Sequence, residues 1–340
     1  MRVQLSLAKS ILLSSIIFLS AKSAFSQGDA IDLIKAREDA TKITQAYLNP
    51  FFKGLGSGMN NGWFNSAKAK NLGKFDLRIQ ASGAFVPTSD QTFDVNSLGL
   101  TRFKPASGSS SITPTVFGKD DGGITLTDKN NSNIEFQMPS GAGFHIVPSP
   151  QIQLTVGLVY DTEISARFTP KVGNDDFGKV GSWGIGVKKE ITKLLPWKTE
   201  KIIPIDLAVA LGYNQINYDH KVAVKDQIGD DDTNDLKQRI EGKFSGVTAD
   251  LIVSKKLAIF TPFASIGYNS AKTDIGILGT YKFNGENDLV DPVRIKQTDV
   301  SAFRGSLGFG LHLAFFRLYG AYNISDYQSV TAGIGFGIGK

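Results

Sequence analysis

A chain of 340 residues with no cysteine excludes disulfide frameworks and thiolate chemistry, whether nucleophilic or metal-binding. Its formal charge of +5 and pI of about 9.1 do not mark a nucleic-acid partner, because the basic residues are scattered and no basic patch is interleaved with aromatics. Thirty-six glycines, 10% aromatics and a mean hydropathy of −0.08 suit strands in which every second residue is polar.

Residues 1–26 read as a signal peptide. Arg2 and Lys9 form the positive start, Ile11 to Ala21 the apolar stretch, and Ala24-Phe25-Ser26 a small-residue cut site before Gln27. The apolar stretch is too short for a spanning helix, which needs about 20 residues. The leader holds Arg2, Lys9 and Lys22 and no acid, so its removal leaves +2 of the formal +5.

Residues 29–48 carry Ile31, Ile34, Ile43, Ala46 and Tyr47 at helical spacing, with Asp29 as a candidate N-cap. Asn49-Pro50 is the expected stop, since the residue before proline is pushed out of the α region. This amphipathic helix has three possible places: capping the periplasmic mouth, lying in a lumen, or packing beneath a barrel. Residues 50–64 follow, dense in glycine and aromatics and without a regular period. They are expected to thread a barrel as a plug, with Phe51, Phe52, Trp63 and Phe64 as ligand-facing or plug anchors.

From Phe75 the chain alternates. Phe75, Leu77, Ile79 and Ala81 face one way, and Asp76, Arg78 and Gln80 the other. Residues 86–150 are less regular, with short strand candidates at 93–95, 112–117 and 134–138 between loops at 105–111 and 119–133. A hairpin is expected across Val159-Tyr160-Asp161, joining 151–158 to 162–169. Further strands are expected at 180–189, 203–217, 243–254, 257–269, 275–283, 300–313, 315–325 and 328–339, with a helical turn at Ile191–Trp197. Long polar segments at 219–240 and 284–299 read as extracellular loops and the shorter connections as periplasmic turns. Strands 203–217 and 300–313 are long enough to cross a bilayer at a tilt. Tyr160, Trp183, Tyr213, Tyr268 and Tyr322, near strand ends, suit interfacial girdles.

The expected fold is therefore all-β: a transmembrane antiparallel β-barrel of about 12 strands, with about 10 to 14 admissible. Its expected organisation is a signal peptide at 1–26, a helix and plug at 27–73, and a barrel at 74–340. The period of two turns Asp76, Arg78, Glu163, Arg167, Asp206, Asp250, Arg304 and Arg317 towards the lumen, where they line a pore or pair across a filled interior. Gly333, Gly335 and Gly337 leave room against the last strand, for the plug or for bulky neighbours.

No G-x-S-x-G, H-E-x-x-H or phosphate-loop motif occurs, so no enzyme and no cofactor are expected. His312 reads as a polar luminal residue, because Ser306 lies six residues away, about 20 Å at strand rise. Asp230, Asp232, Asn234 and Glu241 fall at calcium-loop positions, but Asp235 replaces the required glycine, so a solvated acidic loop and no metal site is expected.

The stretch Leu55-Gly56-Ser57-Gly58-Met59-Asn60-Asn61-Gly62-Trp63-Phe64-Asn65 carries a family likeness. So do Gln151–Leu154, Gly157-Leu158, Thr162–Ile164, Arg167–Lys171, Gly184–Lys188, Leu195-Pro196, Ile203–Asp206 and Gly212-Tyr213. Together these resemble an uncharacterised exported barrel family of the Bacteroidota, a domain of unknown function. That resemblance implies class and location and brings no substrate. A looser likeness is to the long-chain fatty-acid outer-membrane transporters, which also hold an N-terminal plug in a barrel. Thr331–Ile338 resembles the terminal strand signal read by barrel-assembly machinery. The expectation is an outer-membrane barrel, a passive transporter or channel for hydrophobic or amphipathic small molecules. Its alternatives are a general porin and a non-transporting envelope scaffold. The expected partners are outer-membrane lipid, the assembly machinery and a hydrophobic small molecule.

Overall fold

Alternation builds the wall. In Phe75–Phe85, residues Asp76, Arg78, Gln80, Ser82 and Ala84 are buried, and between them Phe75, Leu77, Ile79 and Phe85 are exposed. The computed structural model describes residues 37–174, 178–194, 205–221, 236–281 and 289–338. In it ten strands form a closed barrel. They are β1 (Phe75–Phe85), β2 (Ile146–Leu158), β3 (Thr162–Asn174), β4 (Gly178–Glu190), β5 (Asp206–Lys221), β6 (Arg239–Ser254), β7 (Phe260–Leu278), β8 (Val293–Leu313), β9 (Phe316–Ile324) and β10 (Ser329–Ile338). All neighbours are antiparallel, and β1 meets β10 with Phe75 opposite Ile338, so no edge is left unpaired. The outer face is apolar, with Leu211, Ile266, Phe303 and Leu307 among its exposed side chains. Among the described residues no helix is long and apolar enough to cross a membrane.

Ten strands is the floor of the expected range, and the shortfall from about twelve has two sources. The expected strands at 257–269 and 275–283 are one, β7, because Lys272 and Asp274 keep pairing with β6 and β8 across a register shift at Ala271/Lys272. Residues 86–145 lie outside the barrel sheet. Their short strands pair with each other, Thr92–Asp94 with Ile112–Pro114 and Thr125–Asp128 with Phe103–Pro105 and Glu135–Gln137. This insert has its own buried apolar residues, including Val95, Phe103, Phe117, Leu126 and Phe136. The turn expected at 191–197 is a 3-10 turn at Thr192–Leu194, and its remainder lies outside the described residues.

The helix α1 runs Arg37–Met59, with Pro50 inside it. The expected stop at Asn49-Pro50 is thus overruled; the part expected at 29–36 lies outside the described residues. An interior proline costs roughly 3 kcal/mol, which tertiary packing has to offset. The packing is supplied directly after it. Phe51 and Phe52 have ring centroids 6.0 and 6.2 Å from Phe244 on the inner face of β6. The next turns touch the wall: a Cβ on Gly54 would sit 2.3 Å from Val147, and one on Gly56 2.6 Å from Ala271. The helix contacts β1, β2, β6, β7 and β8, strands on different sides of the barrel, and so lies within the ring.

The first turns of α1 dock on the insert. Asp39 is fully buried and accepts backbone hydrogen bonds from Thr101, Arg102 and Phe103 at 2.8–2.9 Å. Burial pushes the Asp39 carboxyl up, but these hydrogen bonds outweigh it and hold it below the ordinary 3.8. Lower down, Asp90 of the insert accepts from Lys53 at 3.0 Å and Tyr327 at 2.7 Å. These bonds likewise overcome burial and lower its pKa.

Two outcomes follow from this packing. Gly54→Ala should lower the midpoint of heat-modifiable gel migration, because overpacking costs about 1–3 kcal/mol and exceeds the helix-propensity gain of about 1 kcal/mol. In a Val147→Ala background the same change should become neutral or stabilising. Protection of the Thr101–Phe103 amides in hydrogen exchange should be full at neutral pH. Because the folded carboxyls of Asp39 and Asp90 are depressed, it should fall as the pH drops below about 3.9. Asp39→Asn should show the weaker protection at every pH.

Candidate functional site

Past Met59 the helix ends and its last carbonyls need donors. The barrel wall provides them. Gln151 Nε2 donates to Gly58 O and Met59 O at 3.1 and 3.2 Å. Arg167 donates from Nη1 to Met59 O and from Nη2 to Asn61 O, both at 2.8 Å. Arg304 donates to Asn60 O at 2.8 Å and to the Asn61 side-chain oxygen at 2.9 Å. Arg78 and Gln80 converge on Gly62 O, each at 3.0 Å. Gln153 takes Trp63 O at 2.8 Å, and Lys188 takes Ser66 O and Lys68 O at 2.8 and 3.0 Å. Residues 60–73 therefore descend the lumen as an irregular thread, with the carbonyls of Asn60 to Trp63, Ser66 and Lys68 held by the wall.

The carboxylates complete the charge. Asp76 faces Arg78 at 3.2 Å and Arg317 at 3.0 Å, and accepts from Tyr319 at 2.9 Å. Asp250 faces Arg304 at 2.7 Å. Glu163 pairs with the buried Lys188 at 3.0 Å and accepts the Lys70 backbone N–H at 2.6 Å. Glu190 takes the Ala69 N–H at 2.8 Å and Lys68 Nζ at 3.0 Å, and Asp206 lies 3.5 Å from the same ammonium. The structure thus places Asp76, Arg78, Glu163, Arg167, Arg304 and Arg317 buried on the inner face, Asp250 half-buried there against Arg304, and Asp206 partly exposed near its rim.

Trp63 lies flat against the wall. The Arg167 guanidinium stacks 3.7 Å from its ring, and Cβ atoms on Gly186 and Gly212 would come within 2.7 and 2.6 Å of the indole. Phe64 stacks beside it at 6.3 Å, near Lys188. Beside these residues a cavity of about 20 Å³ lies against Asp250, Arg304, Ser306 and Asn323, room for about one water.

A family profile spanning residues 6–338 matches this chain. The chain belongs to a family of unknown function, DUF6588. No protein of curated function matches it. Among solved structures, this DUF6588 protein is similar to the outer membrane protease OmpT of Escherichia coli, at 11% identity over 78% of this chain and 97% of that one, TM-score 0.34. It is similar to Ail, the attachment invasion locus protein of Yersinia pestis, at 8% identity over 78% and 97%, TM-score 0.26. It is also similar to the translocator domain of the autotransporter NalP of Neisseria meningitidis, at 8% identity over 85% and 93%, TM-score 0.29.

Other residues of the DUF6588 lumen went unnamed in the sequence reading. Gln151, Gln153, Lys188, Glu190, Asn214 and Thr248 lie at the inward parity of their strands, so their facing was available from the same alternation. Asn60 and Asn61 were not, since nothing in an aperiodic segment marks which residue meets the wall. Gly333, Gly335 and Gly337 accommodate Gln80, Tyr319 and Arg317, which are wall side chains, and not the luminal thread. His312 lies by Arg317 in register, while the Ser306 hydroxyl donates to Asn323 at 2.8 Å. Among the described residues no cluster of His, Cys, Asp and Glu could hold a metal. Of the four calcium-loop candidates only Glu241 is described, on β6 and paired with Arg239 at 2.6 Å; residues 222–235 lie outside the described set.

Arg167→Met should orphan two buried carbonyls at about 1–3 kcal/mol each and clearly lower the heat-modification midpoint. Arg167→Lys, which can reach only one of them well, should fall between. Lys193→Ala, which removes an exposed pair with Asp161, should change it little.

Proposed function

We propose that this protein is an outer-membrane β-barrel that is closed by its own helix and luminal thread, a non-conducting envelope anchor that holds the 86–145 insert at one mouth. The observation that carries the reading is the lumen itself: its arginines, glutamines and Lys188 bind the carbonyls of the protein's own luminal segment, and the cavity beside Trp63 and Arg304 is only about 20 Å³. The exposed apolar wall of a closed barrel supports a lipid environment. The reading includes export by residues 1–26 with cleavage near Ser26, recognition of the last strand by barrel-assembly machinery, and no catalytic step. A general porin draws no support from a filled lumen.

Passage of a hydrophobic or amphipathic small molecule is the second reading. It draws on a hollow of about 890 Å³ on the outer wall, lined by Leu211, Leu251, Ile266, Tyr268 and Phe303, of a size that suits a small ligand. In this version Phe51, Phe52, Trp63 and Phe64 control access as a plug, and the thread has to shift.

Planar-bilayer recording separates these. The purified protein should show no steady conductance, and deletion of residues 51–66 should open a permanent ion path while the barrel still assembles. Large steady currents from the intact protein would refute the closed barrel. Uptake of hydrophobic solute into vesicles that depends on Trp63 and Phe64 would favour the transporter.

A further inference from the structure

The path of the chain through the lumen has a direction. Strand β2 serves as a ruler from one barrel end to the other. Gly54 packs on Val147, Gly58 on Ser149, Trp63 O is bonded by Gln153, and Gly73 N–H donates to Gly157 O at 3.0 Å. The order never reverses, over ten residues of β2 or about 33 Å of strand. The thread's lower contacts agree: Ala67 N–H to Ser254 at the end of β6, Ala69 N–H to Glu190 at the end of β4, and Lys70 to Glu163 near the start of β3. Above Gly54, Asp39 docks on Thr101–Phe103 of the insert. The helix therefore enters at the end where β1 runs into the insert, and the thread leaves at the end where β1 begins.

The two ends of the barrel differ. Three of the four connections at the thread's exit are short, Val159–Asp161, Lys255–Ile259 and Ala314-Phe315, and the first and last barrel strands begin and end there. The opposite end carries the 60-residue insert at 86–145 and the long connections 222–238 and 279–292 beside the short 175–177 and 325–328, while the fourth connection at the exit is 191–205. Barrels of the outer membrane turn short connections to the periplasm and long ones to the exterior.

We infer that this chain threads its own barrel from the outside in: the N-terminal turns of α1 lie on the cell exterior, beside the insert, and the chain passes through the lumen to the periplasmic rim before β1 begins. This rests on the proposed outer-membrane location. It makes the exterior face a composite of the insert and the start of the helix, joined by Asp39, by Lys42 Nζ on Gly99 O at 2.9 Å and by Lys53 on Asp90.

The absence of cysteine makes the test direct. Single variants Glu38→Cys, Ser109→Cys, Leu72→Cys and Tyr160→Cys, all at exposed positions, are treated on intact cells with a membrane-impermeant maleimide. Glu38→Cys and Ser109→Cys should label to the level reached after permeabilisation. Leu72→Cys and Tyr160→Cys should label only after it. If Ser109→Cys labels on intact cells and Glu38→Cys does not, the threading is wrong while the outer-membrane barrel stands. If Leu72→Cys and Tyr160→Cys label instead, the barrel is inverted and the inference falls. Recovery of the protein in the soluble periplasmic fraction would overturn both the location and the inference. Lys42→Cys, one turn along the helix, gives the same reading if Glu38→Cys disturbs assembly, which heat-modifiable migration monitors.

Discussion

A backbone carbonyl inside a narrow barrel must find a donor in protein, because little room is left for water. That constraint organises this molecule. A helix that ends in mid-lumen exposes its last carbonyls where they are most costly, and the wall meets them with Gln151, Arg167 and Arg304. The thread that follows offers a carbonyl to Arg78, Gln80, Gln153 and Lys188 in turn. Guanidinium groups suit the task, since one planar fork reaches two acceptors, as Arg167 does with Met59 and Asn61. The cations then require neutralising, and Asp76, Asp250 and Glu163 sit within ion-pair distance. Charges that on a strand pattern could line a pore are here consumed in holding the chain's own interior.

The same filling explains two departures from local preference. Pro50 sits inside a helix that local rules would end, and three glycines follow it in the next turns, poor helix formers by propensity. Inside a ring of strands, however, a thin helix surface is an advantage. Gly54, Gly56 and Gly58 let the backbone approach Val147, Ala271 and Ser149 at distances no side chain would allow. Gly186 and Gly212 do the converse from the wall, opening a slot for the indole of Trp63. Packing against a rigid enclosure thus outweighs the propensity of single residues.

The insert and the helix form a second level of organisation outside the ring. The insert's apolar residues gather with Ala40 and Ile43 of the helix, so the start of α1 completes a core that 86–145 does not close alone. Asp39 caps a run of three backbone N–H groups there, and Asp90 ties Lys53 to Tyr327 beside the β9–β10 turn. One continuous element, the helix, therefore joins the outer cap to the luminal thread, and the closure of the barrel and the position of the cap share the same support.

The parity of each strand was legible in the sequence. Phe75 to Phe85 alternates strictly, and a period of two assigns Asp76, Arg78, Glu163, Arg167, Asp250, Arg304 and Arg317 to one face without any tertiary information. The barrel class and the inward charges follow from that local property. Strand number did not follow, because a strand that runs on past its apolar stretch, as β7 does through Lys272 and Asp274, shows no end in its composition. Nor did the partners. Arg167 and Met59 are 108 positions apart, and whether an inward arginine meets water, a carboxylate or a carbonyl depends on what occupies the ring. By itself the sequence determined which side chains face inward, since facing is set by each residue's immediate neighbours. Only the tertiary structure decided that a helix and thread lie inside the ring, which segment supplies them and at which end they enter, since those depend on closure of the barrel around a helix whose own local signals said it should have stopped.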